Sequence, residues 1–167
     1  MSLTVEDGSG VAGAESYAAA ATVVAYWAAR PHSAFAATVA AATTANIEGA
    51  ARESSDYLDA KFGPRYRGHR AGYVQGLLFP RTGATDDAGY PLPALPGALV
   101  DATCELTARA LSDALADDLE RGGAIKREQF DTVAFEYFDG ATADTSFGVV
   151  DGMMAPLLRK DLAWAWA

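Results

Sequence analysis

The sequence predicts a mainly α domain: a small bundle of about four helices, one β-hairpin and an extended C-terminal tail. Apolar residues recur every three or four positions through much of the first 121 residues, the period of an amphipathic helix. Alanine fills many of those stretches, which favours helix and lets neighbouring helices approach closely. After Gly122-Gly123 the period switches to alternation over residues 125–130 and 132–138, read as two strands with a tight turn near Asp131. A single domain of 167 residues is expected, made of a helical core (1–124), the hairpin (125–140) and a tail (141–167).

Taken in order, Leu3-Thr4-Val5 is a short strand or an extended arm. Gly8-Ser9-Gly10-Val11-Ala12-Gly13 then matches the G-x-G-x-x-G pattern of dinucleotide-binding turns. That fold also needs a second parallel strand ending in an acidic residue about 20 residues further on. Here the chain runs as helix to Arg30-Pro31 instead, so the glycines are read as a flexible entry. The first helix, 16–29, places Tyr17, Ala20, Val24 and Trp27 on one stripe, and Pro31 ends it. Ser33 caps a second helix over 34–44, carrying Phe35 and Val39.

The third helix, 45–62, has the clearest stripe: Ile47, Ala50, Ala51, Ser54, Tyr57, Leu58 and Phe62, with Arg52, Glu53, Asp56 and Asp59 opposite. Arg52 and Asp56 are four apart and are expected to pair. Gly63-Pro64 stops the helix. A short helix is expected at 73–79, with Val74, Leu77 and Leu78 facing inward. Asp86-Asp87-Ala88-Gly89 has turn chemistry, since aspartate accepts from nearby amides and glycine takes positive φ. Its oxygens are too irregularly spaced for a calcium loop. The longest helix is expected from Pro96 to residue 121. One ridge carries Leu99, Ala102, Leu106 and Ala110; another carries Val100, Cys104, Leu111, Leu115 and Leu119. Cys104 is thereby read as a small core side chain.

Composition narrows the function. The net charge of −9 disfavours a general nucleic-acid binder, which needs cations to displace counterions. The charge is uneven, however. Residues 61–81 hold Lys61, Arg65, Arg67, Arg70 and Arg81 and no acid, so the remainder sums to −14. Such a segment pairs with an acidic neighbour, touches a phosphate backbone, or caps helix ends. No stretch matches a bilayer span or a signal peptide, and residence in the cytoplasm is expected unless something carries the chain out. One cysteine excludes an internal disulfide framework.

No catalytic, metal or cofactor constellation is found, and no enzyme is expected. His32 and His69 lack a nucleophile partner, and no histidine pair, cysteine cluster or phosphate-binding loop with its lysine is present. Surplus apolar surface is the stronger signal. Aromatics fall on both faces of the hairpin, including Phe130, Phe135 and Tyr137 beside Val133. A two-stranded ribbon cannot bury both faces alone, so it lies on the bundle or meets another chain. The tail crowds Phe147, Met153, Met154, Leu157, Leu158, Trp164 and Trp166 into a glycine-broken stretch. Tryptophan and methionine suit buried interface centres, so these residues of hairpin and tail are taken as contacts with other chains. The alternative for the tail is a helix folding back on its own core.

A family likeness emerges from several pieces together. Ala50-Ala51-Arg52-Glu53-Ser54-Ser55-Asp56-Tyr57-Leu58-Asp59, Gln75-Gly76-Leu77-Leu78-Phe79-Pro80-Arg81-Thr82-Gly83, Asp87-Ala88-Gly89-Tyr90 and Ala102-Thr103-Cys104-Glu105-Leu106 resemble tailed-phage head–tail connector adaptors. Sequences of this type often carry the label DnaT-like, after a primosomal single-strand DNA-binding protein. Leu3 to Gly8, Glu15-Ser16-Tyr17, Lys126-Arg127-Glu128 and Val150-Asp151-Gly152 extend the likeness over most of the chain. The alanine-rich stretch 34–44 and the Trp-Ala-Trp end depart from it. The resemblance implies a non-enzymatic virion part in the neck, forming a ring of about twelve copies under the portal protein. That ring would lengthen the channel for packaged double-stranded DNA and dock a stopper or tail terminator, with no membrane involved. Arg65, Arg67, Arg70 and Arg81 would meet an acidic partner or the DNA backbone. The alternative is single-stranded DNA binding in replication, using Arg65, Tyr66, Arg67, His69, Arg70 and Tyr73 as a basic path with stacking rings.

Overall fold

Among the described residues five α-helices carry the fold, in line with the mainly α prediction. A computed structural model of the chain describes residues 2–115 and 147–160, with the backbone of 127–130 and 133–136. Two units are distinguished: Met1–Leu115 with Phe147–Ala167, and Ala116–Ser146. In the second unit the expected hairpin is present, β3 (Arg127–Phe130) against β4 (Val133–Glu136), antiparallel, with Arg127 opposite Glu136 and Phe130 opposite Val133. The rest of this description concerns the first unit.

Helix α1 (Ala20–Ala28) begins four residues later than the spacing predicts. The backbone before it is committed elsewhere: Tyr17 N donates to Ser55 Oγ at 3.2 Å, and Ser16 O accepts from Glu6 N at 2.9 Å. Those bonds hold Tyr17 extended against the third helix, so it cannot join a helical ladder. Tyr17 and Trp27 are buried as predicted, but Val23 and Tyr26 point inward in place of Val24, which is 43% exposed. Helix α2 (Ala34–Ala41) is capped as expected, Ser33 Oγ accepting from Phe35 N at 3.3 Å. Helix α3 (Thr44–Phe62) is capped by Thr43, whose hydroxyl accepts from Asn46 N at 3.3 Å.

Helices α3 and α4 (Gly97–Ala110) form the central pair. Small residues face each other there: Ala51, Ser54 and Ser55 on one helix, Ala102, Thr103 and Thr107 on the other, all buried. Their hydroxyls turn back onto carbonyls of their own helices, Ser54 to Ala50, Ser55 to Ala51, Thr103 to Leu99 and Thr107 to Thr103. This satisfies buried hydroxyls without spacing the helices apart. Helix α4 ends at Ala110, well before the predicted residue 121, because Ser112 N and Asp113 N both turn back to Arg109 O at 2.9 Å.

Two apolar clusters result. One gathers Tyr17, Leu58, Phe62, Tyr66, Phe79, Leu99, Leu106 and Met154. The other gathers Val23, Tyr26, Trp27, Val39, Ile47, Cys104 and Ala108, with Trp27 Nε1 donating to Cys104 O at 3.0 Å. Each large side chain so enclosed contributes about 1.5–3 kcal/mol.

The tail is not extended over the described residues. Helix α5 (Gly148–Met154) and a tight turn at Ala155–Leu157 bring Val150, Met154, Leu157 and Leu158 into the first cluster. Their helical spacing completes the cover over α4, a surface a two-cluster bundle would otherwise leave wet.

Residues 73–79 are not helical, contrary to expectation. They lie in a loop joining the short strands β1 (His69–Arg70) and β2 (Arg81–Thr82), which pair antiparallel. Buried Gln75 replaces the helical ladder: its side chain accepts from Gly72 N at 2.7 Å and donates to Leu77 O at 2.8 Å and Pro80 O at 3.1 Å. Leu77 and Phe79 point inward, and the Phe79-Pro80 peptide is cis. Gly76 sits hard against the entry segment, where a Cβ would lie 2.4 Å from Ala14 O and 2.5 Å from Ala14 N. Both obstacles are backbone, so Gly76→Ala is expected to cost about 2 kcal/mol. A denaturant midpoint lowered at unchanged slope would show it.

No helix of the described residues is long and apolar enough to cross a membrane. Among them, no group of three His, Cys, Asp or Glu side chains could hold a metal ion.

Candidate interaction surface

The glycine-rich entry resolves into an anion cradle that the chain fills itself. Glu6 is buried at 1% exposure. Its Oε1 accepts from Gly8 N at 2.8 Å and Gly10 N at 2.9 Å, and its Oε2 accepts from Val11 N at 2.9 Å. Positive φ at Gly8 (96°) and Gly10 (82°) aims those amides inward, as in a phosphate-binding nest. A carboxylate already occupies the position a pyrophosphate would need, and the dinucleotide pattern is structural here.

A second, half-buried carboxylate fixes the loop. Asp59, predicted on the outer face of α3, turns inward and takes the Tyr17 hydroxyl at 2.7 Å, the Tyr66 hydroxyl at 3.4 Å and Leu78 N at 2.9 Å. The Tyr17 oxygen also accepts from Leu78 N and Phe79 N, at 3.1 and 3.2 Å. Burial raises the Asp59 pKa above the ordinary carboxylate value, the three donors opposing it. Burial, then the Asp59 charge, raises the pKa of both tyrosines. The Phe79 ring meets Tyr17 edge-on at 6.5 Å and Tyr66 edge-on at 5.0 Å, closing the base of the loop.

The basic segment is divided between scaffold and surface. Arg81 donates to three carbonyls, Arg67 O at 2.6 Å, Gly68 O at 2.7 Å and Leu78 O at 3.3 Å, and burial lowers its pKa. Arg67 donates to Leu158 O at 2.8 Å and Thr85 O at 2.9 Å and is paired with Asp87. Its backbone N–H reaches Leu157 O at 3.1 Å, so the arginine also staples the α5 segment to the connection. Lys61 pairs with Asp151 on α5 at 3.3 Å. Arg52 pairs with Glu15 at 3.2 Å rather than with Asp56, because the entry segment lies across that face of α3. Tyr66 is buried at 1% exposure, which removes it as a stacking ring.

What remains outward is His69, Arg70 and the loop tip. Arg70 lies at the edge of the loop, donating to Gln75 O at 2.6 Å. Tyr73 is 97% exposed and Val74 70%, although Val74 was expected to face inward. Arg65 is also exposed. The Asp86 turn forms as expected, its carboxylate accepting from Ala88 N and Tyr90 N with Gly89 at φ 90°.

Among the interface residues expected in the tail, Met154, Leu157 and Leu158 belong to the chain's own core and present no outward contact. The reason is the helical turn of α5, which points them at α4. Phe147 and Met153 are half-buried at the margin of the same cluster. The side chains of Phe130, Val133, Phe135 and Tyr137, and Trp164 and Trp166, lie outside the described residues. Sequence reasoning missed Glu6 and Asp59. Nothing in their spacing distinguishes them from surface acids, although a glycine-rich run directly after Glu6 was a usable hint. Cys104 is fully buried, and burial pushes its thiol up to about 12, as expected for a core residue without nucleophilic use.

The outward features are thus a rigid, aromatic-tipped loop with a basic flank, on a fold held by internal carboxylates. No curated protein and no solved structure matches the chain. A family model does, over residues 1–166, and the chain belongs to that family, described as "Putative DnaT-like ssDNA binding protein".

Proposed function

We propose that the chain is a non-enzymatic assembly subunit, a head–tail connector adaptor of a tailed phage. The observation that carries this reading is the loop tip: Tyr73 and Val74 stand in solvent on a backbone locked by Gln75 and Arg70. A rigid apolar knob loses little entropy on docking and fits a protein partner. The fate of the arginines supports the same choice. Arg67 and Arg81 are spent on internal carbonyls, leaving too few outward cations on a −9 protein for tight strand binding. The likeness of the core stretches to connector adaptors, met in the sequence, supplies the specific role. The subunit would contact the portal and a stopper or tail terminator, and packaged DNA would pass without being held. In a phage encoding this chain, a nonsense mutation in its gene is expected to leave DNA-filled heads and free tails unjoined. Heads that still join tails would overturn the role.

The second reading is single-stranded DNA binding, which the family description favours over the first. His69, Arg70 and Tyr73 are exposed on one loop and could stack and neutralise a strand. A titration with fluorescent oligothymidine separates the two. Submicromolar binding that falls steeply between about 50 and 200 mM salt would favour strand binding. Weak, salt-insensitive signal is the outcome expected for the connector.

A further inference from the structure

The connector reading leaves open what receives the loop tip, and the chain itself carries a suitable receptor. A groove of about 240 Å³ is lined by Phe35 on α2, Arg109 on α4, Asp113, Ala114 and Leu115 beyond it, and Phe147. Its wall is mostly apolar. The Arg109 guanidinium lies 4.9 Å from the Phe35 ring centre and 5.7 Å from that of Phe147. Arg109 is held there by Glu105 at 2.7 Å, which also neutralises it. A cation between two rings, beside an open apolar slot, suits a third aromatic ring.

We propose that Tyr73 and Val74 of one copy of the chain dock into this groove on the next copy. Tyr73 would supply the third ring, and Val74 would lie on the apolar wall. Charge fits as well: the exposed Arg70 stands at the base of the knob. The groove's own cation is already matched by Glu105, and the exposed Asp113 stands at its rim. Knob and groove are different surfaces of one chain, and in the ring of the connector reading the contact runs head-to-tail, whereas a reciprocal two-fold pair would stop at the dimer. This contact rests on the connector reading for its purpose but not for its chemistry.

The test uses the full chain and two exposed positions, Ala71→Cys and Ala114→Cys, which keep Tyr73 and Val74 in place. Cys104 is buried and does not compete. Under mild oxidation the doubly substituted chain is expected to give a ladder of covalent oligomers. A mixture of the two singly substituted chains should give mixed dimers well above the level of same-variant dimers. Independently, the pair Tyr73→Ser with Val74→Ser should raise the self-association Kd at least about tenfold by sedimentation, the loss of a typical hot spot. No ladder, or self-association unchanged by the serine pair, would overturn the proposal. So would a serine pair that weakens oligothymidine binding while association stays intact. Failure of the ladder in a chain still required for head–tail joining would remove this contact alone. A ladder from a chain dispensable for joining would remove the connector role alone.

Discussion

Glu6→Ala is expected to cost about 3–5 kcal/mol of folding stability. The carboxylate is fully buried and takes three backbone amides. Removing it strands the Gly8, Gly10 and Val11 N–H groups in a site that no other side chain serves, and each orphaned donor costs about 1–3 kcal/mol. Glu6→Gln should cost less. Its amide oxygen can keep the Gly8 and Gly10 bonds, but its NH₂ then faces the Val11 N–H. Chemical denaturation of the three proteins should rank them wild type, Gln, Ala. Equal stability of wild type and the alanine variant would show that the glycine loop does not depend on its internal anion.

Asp59→Ala is expected to cost on the order of 3 kcal/mol in acid and less near neutrality. Three donors converge on this carboxylate, and the loop that carries Tyr73 is anchored through Leu78 N. The pH dependence follows from the raised pKa. A folded-state pKa above the unfolded one means a contribution fully present below the unfolded value. It declines as pH rises through the folded value. The wild-type advantage over Asp59→Ala should therefore be greatest below the ordinary carboxylate pKa of 3.8 and shrink as the pH rises. Denaturation of both proteins across that window measures it directly. An advantage that grew with pH would mean that the tyrosine and amide donors outweigh burial.

These two acids mark where reading the chain in one dimension stops. Helices α1 to α4 were legible because each has a strong local signature, whereas α5 fell in a stretch read as an extended tail. Ser33 and Pro31 bracket the first two, and the stripe from Ile47 to Phe62 places α3 almost to the residue. The hairpin was legible because alternation is a local property too. The segment 73–79 was not. Val74, Leu77 and Leu78 have helical spacing, but buried Gln75 takes over the backbone bonds a helix would make. Arg67 and Arg81 read as surface cations and turned out to hold carbonyls from three separate segments. Met154, Leu157 and Leu158 read as interface residues and lie in the core.

The sequence alone determined what depends on neighbours within a turn or two: helix and strand periods, caps, the acidic balance, and the core place of Cys104. Only the tertiary structure decided which polar side chains are scaffold and which are surface. Whether an acid or arginine is worth burying depends on donors and carbonyls brought to it from 19 to 91 residues away, as Asp59 meets Leu78 and Arg67 meets Leu158. Local spacing carries no record of those partners, so the exposed Tyr73 and the buried Tyr66 look alike until the chain is folded.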